Sequence, residues 1–204
     1  MFYMDWAGYY GVRSYETTHE AEYHAIRQAA GVIDVTPLYK YEVYGKDACA
    51  FLSRIMVRNI AKLKAGQVAY LCWCDEDGKM IDDGTVSRLD EDYYRVTSTD
   101  ANYSWFARHA VGYDVVLEDS TARFAALAVQ GPLSRHVVDD ATGGAVGKLK
   151  FFYATRTKIA GAEVIVSRTG FTGDLGYEIW VENDHAIAVY DTVIEAGRPH
   201  GAIP

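Results

Sequence analysis

With 204 residues, half of them apolar, the chain has enough material to bury a core and too much hydrophobicity for a disordered segment. A formal net charge of −8, with no run of Lys or Arg, argues against nucleic acid and against an anionic membrane surface as partners. No stretch approaches the roughly 18 apolar residues of a membrane-spanning helix, and Cys49, Cys72 and Cys74 lack the spacing of a disulfide framework, so the expectation is a reduced, cytoplasmic protein.

The first element in chain order is a helix over about Thr18 to Ala30. Thr17 and Glu20 have capping-box spacing, and Gly31 falls where a left-handed backbone ends a helix. After a turn at "DVTP", "YKYEVYG" alternates as a strand, and "DACAFLSRIM" carries Ala48, Phe51, Leu52 and Ile55 at helical intervals. "QVAYLCWC" and "MIDDGTVSRL" read as strands joined through the Asp-Gly chemistry of "DEDGK", and "DYYRVTS" reads as a third. Asp100 is placed to cap a helix reaching Ala110, and "YDVVLE" closes as a strand. From Arg123 the same order begins again: strand "FAALAVQ", helix "LSRHVVDD" entered through Pro132, strands "FFYATRTKI", "AEVIVSR" and "GYEIWV", then helix "DHAIAVYDTVIEAG". Only the final strand of the second series is missing. The prediction is an α+β chain of two similar antiparallel units, approximately 39–119 and 1–38 plus 120–204, packed over a pocket at their seam. The abrupt end at "GRPHGAIP" and the leaderless start "MFYMDWAG" predict a piece of a longer chain.

Two constellations carry chemistry. In "SRTGFTGDLGYEIW", Gly170, Gly173 and Gly176 recur every three residues, without the Lys-Ser/Thr ending of a phosphate loop and with a strand after them instead of a dinucleotide-binding helix. Along that strand Tyr177, Ile179 and Val181 face a core, while Glu178, Trp180 and Glu182 face the other way. A carboxylate beside a flat aromatic suits a planar heterocycle with adjacent N–H donors; a solvated hairpin face is the alternative. In "MIDDG" the two carboxylates must point to opposite faces, and alternation does not choose between Asp82, beside Met80 and Val86, and Asp83, beside Ile81 and Thr85. Cys72 and Cys74 share a strand face without partner ligands, the six histidines have no metal spacing, and "DEDGK" lacks the closing Glu of a calcium loop, so no metal site is predicted.

Four segments in order, "HAIRQAAGVIDVTPL", "GQVAYLCWCDEDGKMIDDG", "LAVQGP" and "RTGFTGDLGYEI", closely resemble those of the glycine-cleavage aminomethyltransferase (T-protein) family of tetrahydrofolate-binding proteins. The resemblance implies a duplicated ferredoxin-like folate-binding region, with a following barrel domain absent from these residues. It implies tetrahydrofolate as cofactor, with Glu178 at the pterin's aminopyrimidine edge, Phe171 and Trp180 against its ring, Phe151 or Phe152 nearby, Tyr70 in contact, and the glycine loop shaped around it. It selects Asp83 as the catalytic acid, orienting the cofactor and assisting N5 as a one-carbon unit arrives. The chain departs from the family at Thr36-Pro37-Leu38, where Ser-His-Met is expected, at Thr99, where an asparagine is expected, and at Lys79, where a glycine is expected. Leu38 and Thr99 are carried over as cofactor-binding positions, and the departures bear on the donor more than on folate. The implied activity is transfer of a methyl or aminomethyl-derived methylene group from a small-molecule donor, with a lipoyl carrier protein as a further partner. Two alternatives stay open: a non-catalytic folate-binding regulatory or assembly module, and the folate-binding part of a larger amine dehydrogenase.

Overall fold

The computed structural model describes residues 2–15 and 17–204. The chain forms two compact units, one made by Leu38–Ala122 and the other by the residues up to Pro37 together with Arg123–Pro204.

The discontinuous unit begins with an antiparallel hairpin, β1 (Phe2–Trp6) and β2 (Tyr9–Ser14). Its turn residues Ala7 and Gly8 take φ values of 51° and 81°, the backbone twist that suits a two-residue hairpin loop. Alternation does not reveal this pair, because large side chains such as Phe2, Tyr3 and Tyr10 stand exposed along it. Helix α1 (Glu20–Gln28) is shorter than the capping signal predicts: its N-cap is His19, with no side-chain hydrogen bond, and Thr17 does not cap it. Gly31 is likewise not a helix cap. It lies within β3 (Ala30–Asp34), where an added Cβ would stand 2.7 Å from Ile26 Cγ1, so the glycine lets the strand pass close to the helix.

The continuous unit contains β4 (Tyr39–Tyr44), α2 (Ala48–Ile55), β5 (Val68–Cys74), β6 (Met80–Asp90), β7 (Tyr93–Ser98), α3 (Tyr103–His109) and β8 (Val116–Asp119). Its antiparallel sheet has the order β5-β6-β7-β4-β8. One face packs Tyr41, Leu71, Trp73, Val86, Tyr94 and Val96 against Phe51 and Leu52 of α2 and Phe106 of α3. Period-two alternation puts the polar residues on the opposite face. There a buried Arg95 Nε donates to Glu42 Oε1 at 2.7 Å, and Ser120 Oγ donates to the same oxygen at 3.1 Å. Asp100 does not cap α3; the N-cap is Asn102, whose side chain is turned elsewhere.

The chain then returns to the first unit with β9 (Phe124–Gln130), α4 (Ser134–Thr142), β10 (Ala154–Ile159), β11 (Ala162–Ser167), β12 (Gly176–Glu182), α5 (Ala186–Gly197) and β13 (Ala202–Ile203). Pro132 precedes the N-cap Leu133 and stays outside the helix, and Phe151 and Phe152 form a turn before β10 instead of belonging to it. The final strand that the sequence withheld is present: β13, two residues long, runs parallel to β3. The sheet order is β10-β11-β12-β9-β3-β13. Both units therefore follow the succession β-α-β-β-β-α-β, with β3 inserted between the first and last strands of the second series. The core here is aliphatic, with Val129, Val164, Val166, Ile179 and Val181 packed against Val137 and Val138 of α4 and Val189 and Val193 of α5.

Candidate functional site

The glycine loop joining β11 to β12 is wrapped around an internal side chain. Gln130, at the end of β9, is fully buried; its Nε2 donates to the carbonyls of Thr169 at 3.4 Å and Tyr177 at 3.5 Å, and its Oε1 accepts from Thr172 Oγ1 at 3.0 Å. A Cβ at Gly170 would stand 2.1 Å from Gln130 Oε1, and one at Gly176 would stand 2.3 Å from Nε2. Two of the three regular glycines thus have a reason inside the protein, the close approach of the Gln130 side chain. Gly173 has a separate reason, a left-handed turn at φ 82°. On the outside, Arg27 Nη1 of α1 donates to the Thr172 carbonyl at 3.0 Å and pairs with Asp174.

Between these fixed points Phe171 stands 70% exposed, whereas Trp180 is buried at 6%. Of the two aromatics, only Phe171, two residues beyond the Thr169 that bonds Glu178, has an open ring, and Trp180 does not offer a free face. Phe151 is exposed and Phe152 half-buried, with ring centroids 4.6 Å apart at 86°, and neither joins the core. The Phe152 amide donates to the Arg168 carbonyl at 3.0 Å, which sets this aromatic pair beside the strand end leading into Thr169.

Glu178 projects from β12 on the face opposite the core. Thr169 Oγ1 donates to its Oε2 at 2.9 Å, and Ser167 Oγ lies 2.6 Å from Thr169 Oγ1. Although part of its surface is open, its surroundings are dense: burial pushes the carboxyl above the ordinary range, and the Thr169 hydrogen bond acts against that rise.

In the continuous unit, the structure separates the two acids that alternation leaves equivalent. Asp82 turns inward and is buried, accepting from Asn102 Nδ2 at 2.8 Å, from the Asp100 amide at 3.0 Å and, through Oδ1, from the Asp83 amide at 2.7 Å. Asn102 is itself tied down, its amide donating to Tyr41 Oη at 2.8 Å and its Oδ1 accepting from Trp73 Nε1 at 3.3 Å. Asp83 faces the other way, half-buried, with Oδ2 accepting from the hydroxyl of the exposed Tyr70. That hydrogen bond, together with the charge of Asp83, raises the Tyr70 phenol above its usual range. Gly84, which ends the "MIDDG" run, packs against β7, where a Cβ would fall 1.8 Å from the Thr97 carbonyl oxygen. Gly84 pairs with Ser98, and Ser98 with Tyr39, so Asp83 precedes that row on β6 while Thr99 and Leu38 lie just past the ends of β7 and β4. Thr99 is exposed there and Leu38 half-buried.

The supporting parts played by Gln130, Ser167, Thr169 and Asn102 are not assigned by sequence reasoning: the first three lie inside the quoted segments without a role, Asn102 lies outside them, and Asp82 is the second of the two acids that alternation leaves equivalent. Gln130 leaves a further trace, as a polar residue closing the otherwise apolar run "FAALAVQ". Among the described residues, no cluster of three or more His, Cys, Asp or Glu side chains is placed to hold a metal ion.

A family model described as the GCVT N-terminal domain matches residues 2–204. The chain is 37% identical over 189 residues to the aminomethyltransferase of Caldanaerobacter subterraneus subsp. tengcongensis, covering 90% of this chain and 50% of that relative. Its identity to the aminomethyltransferase of Bacillus subtilis is 35% over 188 residues, covering 90% and 52%. The chain thus spans about half the length of the curated relatives it matches. Among solved structures, the glycine cleavage system aminomethyltransferase T of Bartonella henselae superposes with a TM-score of 0.86 at 25% identity, covering 95% of this chain and 53% of that one. A heterotetrameric sarcosine oxidase from Corynebacterium sp. U-96 shares the fold, with a TM-score of 0.65 at 16% identity, covering 87% of this chain and 88% of the matched one.

Proposed function

The chain belongs to the GCVT N-terminal domain family, and from that premise we propose that it is a tetrahydrofolate-dependent transferase that takes a methyl or aminomethyl-derived methylene group from a small donor. In this reading the two units are a duplicated ferredoxin-like folate-binding region. The observation that carries it is Glu178: a carboxylate on the non-core face of β12, one oxygen held by Thr169, next to a loop that exposes Phe171. The edge of a 2-amino-4-oxopterin presents adjacent N–H donors to one carboxylate, and its ring presents a flat face to an aromatic, so the residues present fit that group. Tetrahydrofolate, when bound, supplies the nucleophilic N5.

The chain's own residues bind and orient. Glu178 fixes the pterin edge, and Phe171, with Phe151 and Phe152 beside Thr169, supplies apolar surface. Asp83, with one oxygen held by Tyr70, keeps its other oxygen to steer N5 or to take a proton from it. Among the described residues no activated nucleophile accompanies these groups, so in this reading orientation supplies most of the rate. A lipoyl carrier protein or a small methylated amine or sulfonium compound would deliver the one-carbon unit.

Titration calorimetry with tetrahydrofolate, followed by a transfer screen over such donors with the full-length protein, tests the reading. Binding with transfer is the expected result. Binding without transfer to any donor would favour the regulatory-module alternative, and no binding at all would overturn the folate assignment.

A further inference from the structure

Glu178 has two hydroxyls behind it whose geometry defines a direction. Ser167 lies directly opposite Glu178 across the β11–β12 ladder, and Thr169 follows at the entrance to the glycine loop. Both are almost fully enclosed, at 2% and 3% exposure. A hydroxyl has one proton to give, and Thr169 gives it to Glu178 Oε2 at 2.9 Å. The 2.6 Å contact between Ser167 Oγ and Thr169 Oγ1 must then run the other way, with Ser167 donating. Gln130 anchors the middle of this relay through the Thr169 carbonyl.

We propose that Thr169, oriented by Ser167, is a positioning residue for Glu178: it engages one lone pair of Oε2 and so fixes the carboxylate with Oε1 and the remaining lone pair of Oε2 open to the N–H donors of the ligand. The ligand's identity rests on the folate reading, whereas the relay does not. Burial works against the ionised form, and the Thr169 hydroxyl is the group that opposes it. The neighbouring strands add no charge beside Glu178, since β9 presents Ala128 there and β11 presents Ser167. The charged side chains on this sheet face are Glu182, which is bound to Arg123 at 2.8 Å, and, on the outer strands, Arg156, Lys158 and Glu163, the last two paired at 3.2 Å.

The test is a carboxyl carbon-13 NMR titration of Glu178 in the folate-free protein, read beside tetrahydrofolate affinity as a function of pH. Thr169→Val is expected to move the Glu178 midpoint upward by about one pH unit. It is also expected to weaken tetrahydrofolate about tenfold, with binding failing at a higher pH than in the wild type. Thr169→Ser should restore both, and Ser167→Ala should shift both in the same direction by less. A Thr169→Val protein that titrates and binds like the wild type overturns the proposal; if that variant does not fold, an unshifted Ser167→Ala overturns the relay. The two readings fail separately. Glu178→Gln binding tetrahydrofolate normally, with the Thr169→Val titration still shifted, removes folate and keeps the relay, whereas lost binding in Glu178→Gln with an unshifted Thr169→Val does the reverse.

Discussion

The two units share a succession of strands and helices and differ in nearly everything that fills it. The sheet of Leu38–Ala122 closes with β8 directly on β4, while in the other unit β3 is interposed between β9 and β13. One core is built on aromatics, among them Tyr41, Phe51, Trp73, Tyr94 and Phe106; the other is largely valine, alanine and isoleucine, with Tyr177 as its aromatic. In each unit a candidate carboxylate turned away from the core is restrained by a hydroxyl, a phenol for Asp83 and a threonine for Glu178. The lesson is that topology is kept by alternation and sheet order, which many side chains satisfy, whereas each acid is placed by a few hydrogen bonds particular to its unit.

The contrast between the cores gives the largest expected effect. Trp73 is fully buried in the aromatic core, so Trp73→Ala should cost about 3–5 kcal/mol in denaturant unfolding. Ile179→Val in the aliphatic core should cost only about 0.5–1.5 kcal/mol. A cost for Trp73→Ala no larger than that of Ile179→Val would show that the buried indole does not anchor the aromatic core.

The neighbouring acids sharpen the comparison next. Asp82→Ala strands the buried Asn102 side-chain donor, costing about 1–3 kcal/mol, and removes the acceptor of the part-buried Asp100 amide, and the loss should appear as a lowered unfolding midpoint. Asp83→Asn should leave stability within about 0.5 kcal/mol of wild type while lowering turnover about a hundredfold or more, with little change in tetrahydrofolate affinity. Transfer at the wild-type rate in Asp83→Asn would remove that residue from the mechanism.

A smaller difference should appear in alkali. Burial, followed by the neighbouring Glu42 carboxylate, pushes the Tyr93 phenol up to about 12, and burial pushes Tyr94 higher still. A phenol raised above its unfolded value of about 10 favours the folded state while it stays neutral. That contribution is fully present below pH 10 and is lost as pH rises from about 10 toward 12. Tyr93→Phe should flatten this alkaline loss, as followed by circular dichroism beside tyrosinate absorbance; an unchanged alkaline profile would show that Tyr93 does not carry it.

Much of this architecture is legible in the amino-acid order. Ala48, Phe51, Leu52 and Ile55 announce α2 by spacing and are all buried, and Tyr177, Ile179 and Val181 announce the inner face of β12. The elements that escape are those whose stability is tertiary, the exposed aromatic hairpin at the start and β13 with only two residues, while β3 escapes pattern reasoning behind a glycine that looks like a helix cap and is reached only through the family resemblance. In the site, Glu178 and Asp83 can be named from motif, but their supports cannot. Gln130 and the glycines it packs against are some 40 residues apart, and Asp82 is told from Asp83 by the Asp100 amide and the Asn102 side chain, 18 and 20 residues on. Close packing between distant segments has no local pattern to betray it.

The most direct test of the account is the tetrahydrofolate affinity of Glu178→Gln beside wild type at neutral pH, with folding verified by thermal melting. Loss of a charge-assisted contact to the pterin edge should weaken binding roughly 10- to 100-fold at unchanged melting temperature. Wild-type affinity in the folded variant would mean that Glu178 does not read the ligand and that the pterin, if it binds, is held elsewhere.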